Sequence, residues 1–379
     1  MKYPIGIQDF EDLQRNGYAY VDKTNFVYKL ADEGKYYFLS RPRRFGKSLF
    51  LSTLEAYFQG KKELFEGLAI YDLETEWKKY PIFYIDLNTA NFREKDSLYT
   101  VLNDYLTTWE CKYGTRESEA TLALRFKGVI ARAAEKEGCG VVILIDEYDK
   151  PILQTLRAPE LQAEHRAQLK AFYSVLKTQD RYIKFALLTG VTKFGKVSVF
   201  SDLNNLTDIS MDHRYISICG MTEKELLTNF KEGIGELASA NEDNETETID
   251  KLRMRYSGYH FEENSEEIYN PFSVLNTLAN SRYDDYWFKA DTHTFLIDIL
   301  KKKHDYCITD LNKTQVKANM MNNVDFNPIP VIYQSGYLTI KSYDERFKNY
   351  QLGIPNKEVE EGILNTLLPH GCKTAEMDC

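Results

Sequence analysis

No stretch of the 379-residue chain approaches the roughly 20 consecutive apolar residues that a membrane helix needs. Nor do the opening residues follow the positive, apolar and small-residue order of a signal peptide. Cysteine is sparse and scattered: Cys111, Cys139, Cys219, Cys307, Cys372 and Cys379 form no C-x-x-C, and no histidines stand at ligand spacing. Free thiols are therefore expected, rather than disulfides or structural zinc. Positive charge is in deficit, with 48 Lys and Arg against 57 Asp and Glu and a net charge of −9, so broad attraction to nucleic acid or an acidic membrane is not expected. These absences together imply a cytoplasmic setting. The remaining composition, 43% hydrophobic and 28% charged, is that of a globular protein able to bury a sizeable core.

What is present concentrates in one stretch. The β-favouring run Tyr36 to Leu39 leads into RPRRFGKS, and the apolar-periodic LFLSTLEAYF follows. This order reads as strand, phosphate-binding loop and helix. Gly46 permits a tight turn in which successive N–H groups face one concavity at a helix start. Lys47 would reach the β- and γ-phosphates of a nucleotide, and the Ser48 hydroxyl would take a place around Mg²⁺. Arg43, Arg44, Phe45, Gly46, Lys47, Ser48 and Leu49 are the candidate binding residues. The full signature G-x-x-x-x-G-K-[ST] has Arg41 where its first glycine belongs, so the loop must enter by another backbone path. A basic strand-to-helix turn carrying a chance GKS is the competing reading.

About a hundred residues later stands GVVILIDEYDKPIL. Val141 to Ile145 is continuously apolar and β-branched, as in a strand buried on both faces of a parallel sheet. It ends in Asp146, a candidate to hold Mg²⁺ together with Ser48, and Glu147, a candidate to polarise an attacking water. A plain capping role for Asp146 is the alternative. A further buried strand, Ile183 to Leu188, ends beside Thr189 and Thr192, whose hydroxyls could report on a phosphate; Lys193 is a third candidate, and a threonine satisfying its own turn is the alternative.

Four segments, RPRRFGKSLFLSTLEAYFQGKKELFEGLAI, VVILIDEYDKPIL, LLTGVTKFGKVSVFSDLNNLTDIS and YNPFSVLNTL, resemble the bacterial AAA-ATPase-like proteins, in the same order and over nearly the whole chain. The resemblance implies an α/β fold, a P-loop NTPase three-layer sandwich whose central parallel sheet has the order 5-1-4-3-2. A smaller helical, winged-helix-like domain would follow. It implies an ATP-binding ATPase that hydrolyses ATP with Mg²⁺ to drive a conformational change. The domains expected are 1–220 for the nucleotide, 221–290 as a helical lid, and 291–379 as an extension leading to the nuclease-like PD-(D/E)XK domain usual in the family. That domain is not expected within the chain, and a truncated or frame-shifted gene or a fragmentary gene model is the expected cause. A nucleotide-gated switch without appreciable hydrolysis, or the ATPase part of a DNA-processing protein, are the other readings. A protein partner or homo-oligomer is open, whereas the overall charge gives DNA little support.

By the same resemblance the segment before the first strand lies against the adenine, with Tyr20, Val21 and Phe26 as candidates, although packing on the sheet explains them too. An amphipathic helix is expected from about Lys23 to Asp32, capped by Asp22, Lys23 or Thr24. Ile82 to Leu87 reads as a strand, and helices around Ser97–Cys111 and Thr121–Glu137 fill a crossover. A fifth strand is expected at Tyr215–Cys219, with Arg214 either an arginine finger or a surface ion-pair partner. Thr222 and Glu225 form a capping box. NEDNETETID reads as a solvated connector, Tyr259 to Phe272 as a hairpin turning near Glu263 and Asn264, and PFSVLNTLANS as a helix capped by Asn270. Later come a helix at Thr294–Lys303, a helix-to-strand corner around Gly336 and a returning strand in KNYQLGIPN. His260, His293 and His304 are isolated, and packing or solvent roles are expected for them.

Overall fold

The computed structural model describes residues 1–193, 205–290, 314–321 and 328–367. The expected helix at Thr294–Lys303, His293, His304, Cys307, Cys372 and Cys379 lie outside the described residues.

Five parallel strands form the central sheet: β1 (Tyr36–Ser40), β2 (Ile82–Asp86), β3 (Val141–Asp146), β4 (Ile183–Gly190) and β5 (Thr207–Asp208). They lie in the order β2-β3-β4-β1-β5, which read from the other edge is the expected 5-1-4-3-2. β3 is buried at every position, which explains its unbroken apolar run. Alternate side chains leave opposite faces of the sheet. Tyr37 and Leu39 of β1 join Leu51, Leu54 and Phe58 of the helix Lys47–Phe58, while Tyr36 and Phe38 join a separate core with the helices Ser97–Tyr113, Leu122–Glu137 and Pro159–Thr178. Helices therefore cover both faces.

The fifth strand differs from expectation. Thr207–Asp208 pairs with β1, whereas His213–Ile218 is a 3₁₀ helix. The Arg41 guanidinium accounts for this, since it donates to the carbonyl oxygens of Tyr215 (3.2 Å) and Ile216 (3.3 Å), groups a strand would commit to its ladder. The apolar side chains Ile216 and Ile218 are buried by packing instead.

A third core lies under the helices Glu223–Asn229, Lys231–Ala240, Glu245–Tyr256 and Pro271–Asn280, built on Leu226, Phe230, Leu237, Leu252 and Val274. Thr222 and Glu225 form the expected capping box. NEDNETETID is not a connector throughout. Asn244 accepts from the Glu247 N–H, the Glu247 carboxylate accepts from the Asn244 N–H, and a helix starts at Glu245. The acidic residues of that first turn also suit the positive end of the helix dipole. In the expected hairpin, Tyr259 and Ile268 make a single antiparallel bridge, and β7 (Ile268–Tyr269) then pairs with β6 (Met221–Thr222). β8 (Thr314–Lys317), β9 (Thr339–Asp344) and β10 (Asn349–Gly353) form an antiparallel sheet in the order β8-β10-β9. The helix Pro328–Gln334 turns through Gly336 into β9, the expected corner. Gly336 has φ +90°, and a side chain there would meet Pro42, so this corner packs directly on the phosphate-loop segment. His260 has a packing role, its Nδ1 against the Ser265 carbonyl oxygen at 2.9 Å. No helix among the described residues is long and apolar enough to cross a membrane.

Candidate functional site

β1 and β4 run side by side, with Ser40 opposite Gly190, and β3 lies on the other side of β4. The loops leaving β1 and β3 therefore emerge together at the carboxyl ends of the strands, the usual place for a site in an open α/β sheet.

The loop after β1 climbs through Arg44 (φ +68°) and Gly46 (φ +95°) into the helix Lys47–Phe58. A left-handed backbone is open to glycine and strained for arginine. At Gly46 a Cβ would meet nothing within 4 Å, so φ rather than crowding calls for glycine. The first intrahelical bond runs from the Phe50 N–H to the Gly46 carbonyl at 3.0 Å, so the N–H groups of Lys47, Ser48 and Leu49 precede the ladder and lie at the positive end of the dipole. Phe45 is buried edge-on against Tyr259 (4.9 Å) and Phe261 (5.8 Å). Arg43 and Arg44 are exposed, with the Arg44 guanidinium 4.6 Å from the Phe272 ring.

Lys47 turns back over the loop. Its Nζ donates to the carbonyl oxygens of Arg41 (3.1 Å) and Pro42 (3.3 Å) and lies 3.0 Å from Glu147 Oε1. The pair is largely shielded, with the Lys47 side chain 3% exposed and that of Glu147 12%. Glu147 sits at φ +50°, a conformation uncommon for a residue with a Cβ and one that tends to persist where function requires it.

Ser48 Oγ donates to Asp146 Oδ2 at 2.5 Å, joining two segments 98 residues apart. Thr189 Oγ1 donates to Asp146 Oδ1 at 2.6 Å, and the Glu147 N–H reaches the same oxygen at 3.0 Å. Burial, and then the neighbouring Glu147 charge, push Asp146 up to about 6, against the hydrogen bonds from Ser48 and Thr189 and the charge of Lys47. The buried Asp146 carboxylate and the Ser48 hydroxyl on it offer hard oxygen donors of the kind Mg²⁺ takes, one or two from protein and the rest from phosphate and water. Ser48 and Asp146 thus fit an Mg²⁺ ion.

Thr192 is placed differently from Thr189. Its N–H and hydroxyl both go to Asp149 Oδ2, at 2.6 and 2.5 Å, while the Val191 N–H reaches Asp149 Oδ1 at 3.2 Å. Asp149 is fully buried, and burial followed by Glu147 pushes it up to about 6. A side chain at Gly190 would come within 2.6 Å of Asp149 Oδ1, so glycine is needed where β4 meets this carboxylate. Sequence pattern alone does not single out Asp149 for the site, although DEYD places it two residues beyond the acidic pair. Lys193 Nζ pairs with Asp208 Oδ2 at 3.0 Å, on the far side of β1 from Asp146. Arg214 is exposed and holds Asp212 at 2.7 Å, the ion-pair alternative.

Beside Gly46 and Leu49 lies a cavity of about 90 Å³ walled by Tyr20, Val21, Cys219 and Phe230 among others, with Leu275 closing it from the helical region. Tyr20 and Val21 reach it. Phe26 is not among its walls and packs 6.3 Å from the Tyr215 ring. Lys23 Nζ to Glu225 Oε1 (2.5 Å) ties the segment before β1 to the capping box of the helix Glu223–Asn229. Asp22 Oδ1 accepts from the Thr24 N–H and hydroxyl, so Asp22 supplies the side-chain cap of the helix Thr24–Glu33. Trp287 Nε1 donates to the Arg43 carbonyl oxygen at 3.0 Å, a contact with the loop that no local pattern announces.

A family model described as a predicted AAA-ATPase matches residues 4–200. An uncharacterized protein from the vnfD 5' region of Azotobacter chroococcum mcd 1 is 38% identical over 372 residues, covering 97% of this chain and 70% of its own length.

Proposed function

The chain belongs to the predicted AAA-ATPase family, and on that premise we propose that it binds ATP with Mg²⁺ at the head of the helix Lys47–Phe58 and hydrolyses it. The observation that carries the reading is the meeting of Ser48 with Asp146 at 2.5 Å while Lys47 and Glu147 face each other across the same gap. Mg²⁺, when bound, offsets the charge of the phosphates. Lys47 exchanges the carbonyl oxygens of Arg41 and Pro42 for phosphate oxygens, and the N–H groups at the helix start take others. Glu147, released from Lys47, accepts a proton from the attacking water. Thr189 fixes the orientation of Asp146, and Thr192 holds the DEYD turn through Asp149. The cavity beside Leu49 takes the adenine, with Tyr20 and Val21 against it. Residues 1–220 act as the nucleotide domain and 221–290 as a lid, winged-helix-like by resemblance. Nucleotide-driven closure moves the lid against the sheet.

One observation favours a second reading. The shielded Lys47–Glu147 pair occupies both groups needed for turnover, as suits a nucleotide-gated switch that binds ATP and hydrolyses it slowly. ATP binding and phosphate release by the purified chain, with and without Mg²⁺, decide between them. Mg²⁺-dependent turnover supports the ATPase; tight binding without turnover supports the switch; no binding overturns both.

A further inference from the structure

Behind the first turn of the phosphate loop lies a second, smaller cavity of about 20 Å³, walled by Ser40, Arg41, Lys193, Ser210, Tyr333 and Gln334 among others. Among the described residues, neither Gly46, Lys47 and Ser48 nor Asp146 and Glu147 contribute to it, so it is separate from the candidate nucleotide site. Its volume suits one water molecule or one monatomic ion.

The charges around it favour an ion. Arg41 is only 1% exposed. Its Nη1 donates to the carbonyl oxygens of Ser40 (3.0 Å) and Ser210 (2.6 Å), its Nη2 to those of Tyr215 and Ile216, and its face rests 4.0 Å from the Phe261 ring centre. Among the described residues no carboxylate pairs with this guanidinium, and its Nε is buried without a hydrogen-bond partner. Lys193, also buried, pairs with Asp208 at 3.0 Å. Among the described residues the wall thus holds two cations, with the Asp208 carboxylate nearby and paired with one of them. Buried charges are ordinarily compensated. Burial draws Arg41 down to about 10, only partly offset by the charge of Asp208 and by Cys219 and Tyr333.

We propose that this cavity is a binding site for one small monovalent inorganic anion of chloride size, which compensates Arg41 and braces the start of the phosphate loop from behind. The site draws its positive charge from Arg41 and Lys193 and does not depend on nucleotide binding.

Bromide is the probe. Crystals of the full chain soaked in sodium bromide are expected to show an anomalous peak in the cavity between Arg41 and Lys193. Thermal unfolding in sodium chloride is expected to be higher by about 2 °C or more than in sodium gluconate at equal ionic strength, since gluconate is too large for the cavity. Arg41→Gln should abolish that difference, and if this variant does not fold, the bromide experiment on the unaltered chain decides. A cavity without anomalous signal, a peak only at the head of the helix Lys47–Phe58, or a chloride gain unchanged in Arg41→Gln would overturn the proposal.

Discussion

The two loops that meet at the candidate site are anchored in opposite ways. The loop after β1 is held through its carbonyl oxygens: Lys47 Nζ takes those of Arg41 and Pro42, Trp287 Nε1 that of Arg43, and the Gly220 N–H that of Phe45. The loop after β3 is held through side-chain carboxylates, with Asp146 accepting from Ser48 and Thr189 and Asp149 from Val191 and Thr192. A loop tied down by its acceptors turns its donors towards an incoming anion. A loop tied down by buried carboxylates gathers negative charge that a cation would relieve. Side by side, the two arrangements suit the two ends of a metal-bound phosphate.

Glu147→Gln tests the carboxylate loop most severely. It keeps the shape of the side chain, so nucleotide binding is expected to persist while phosphate release falls about 10²–10⁴-fold, the usual range for losing a general base. Normal turnover in this variant would remove Glu147 from its assigned role. Lys47→Ala tests the other loop, and nucleotide affinity measured by calorimetry should fall at least about 100-fold, or about 2.8 kcal/mol. Unchanged affinity would separate the anion-facing loop from nucleotide binding altogether.

Stability against pH distinguishes the loops without any ligand. Asp146 and Asp149 are raised to about 6 in the folded state. The folded chain therefore holds more protons than the unfolded chain between the ordinary carboxylate pKa and about 6. Their stabilising contribution is full below about 4 and is lost as pH rises through 6, by up to about 3 kcal/mol for each group. Asp149→Asn should flatten its share of that decline relative to the unaltered chain in denaturant titrations from pH 4 to 7. Parallel curves for the two proteins would mean that the Asp149 charge is compensated. The smallest effect is expected at Gly46→Ala, about 1–2 kcal/mol of stability from its left-handed backbone, since nothing crowds the position. A variant as stable as the original would show that the loop relaxes around it.

The comparison also marks where sequence pattern carries information. GKS and the acidic pair after an apolar run were legible because each is a local signature on a strand end, and the sheet that unites them follows from buried strands in a recognisable order. Arg41 was not legible in the same way. As a replaced glycine it reads as a defect in a phosphate loop, whereas its guanidinium points inward and organises the carbonyl oxygens of residues far along the chain. Tyr215–Cys219 was misjudged for the same reason, since an apolar, β-favouring run cannot reveal that its carbonyls are already taken. The Lys47–Glu147 pair and the Asp149–Thr192 clasp arise from parallel register, which no single segment encodes. NEDNETETID was a different kind of miss, because its Asn244-to-Glu247 capping box is local but was outweighed by acidic composition.

The placement of β1 has a consequence for how the chain comes to be folded. Tyr36 pairs with Ala186, 150 residues later, and the other neighbour of β1 is β5, later still. At about 5–20 residues per second, synthesis leaves this apolar strand without either neighbour for roughly 8–30 s. The phosphate loop is thus made well before the strands that frame it. Late, non-local pairing of this kind slows folding and leaves a bare strand edge to be shielded meanwhile.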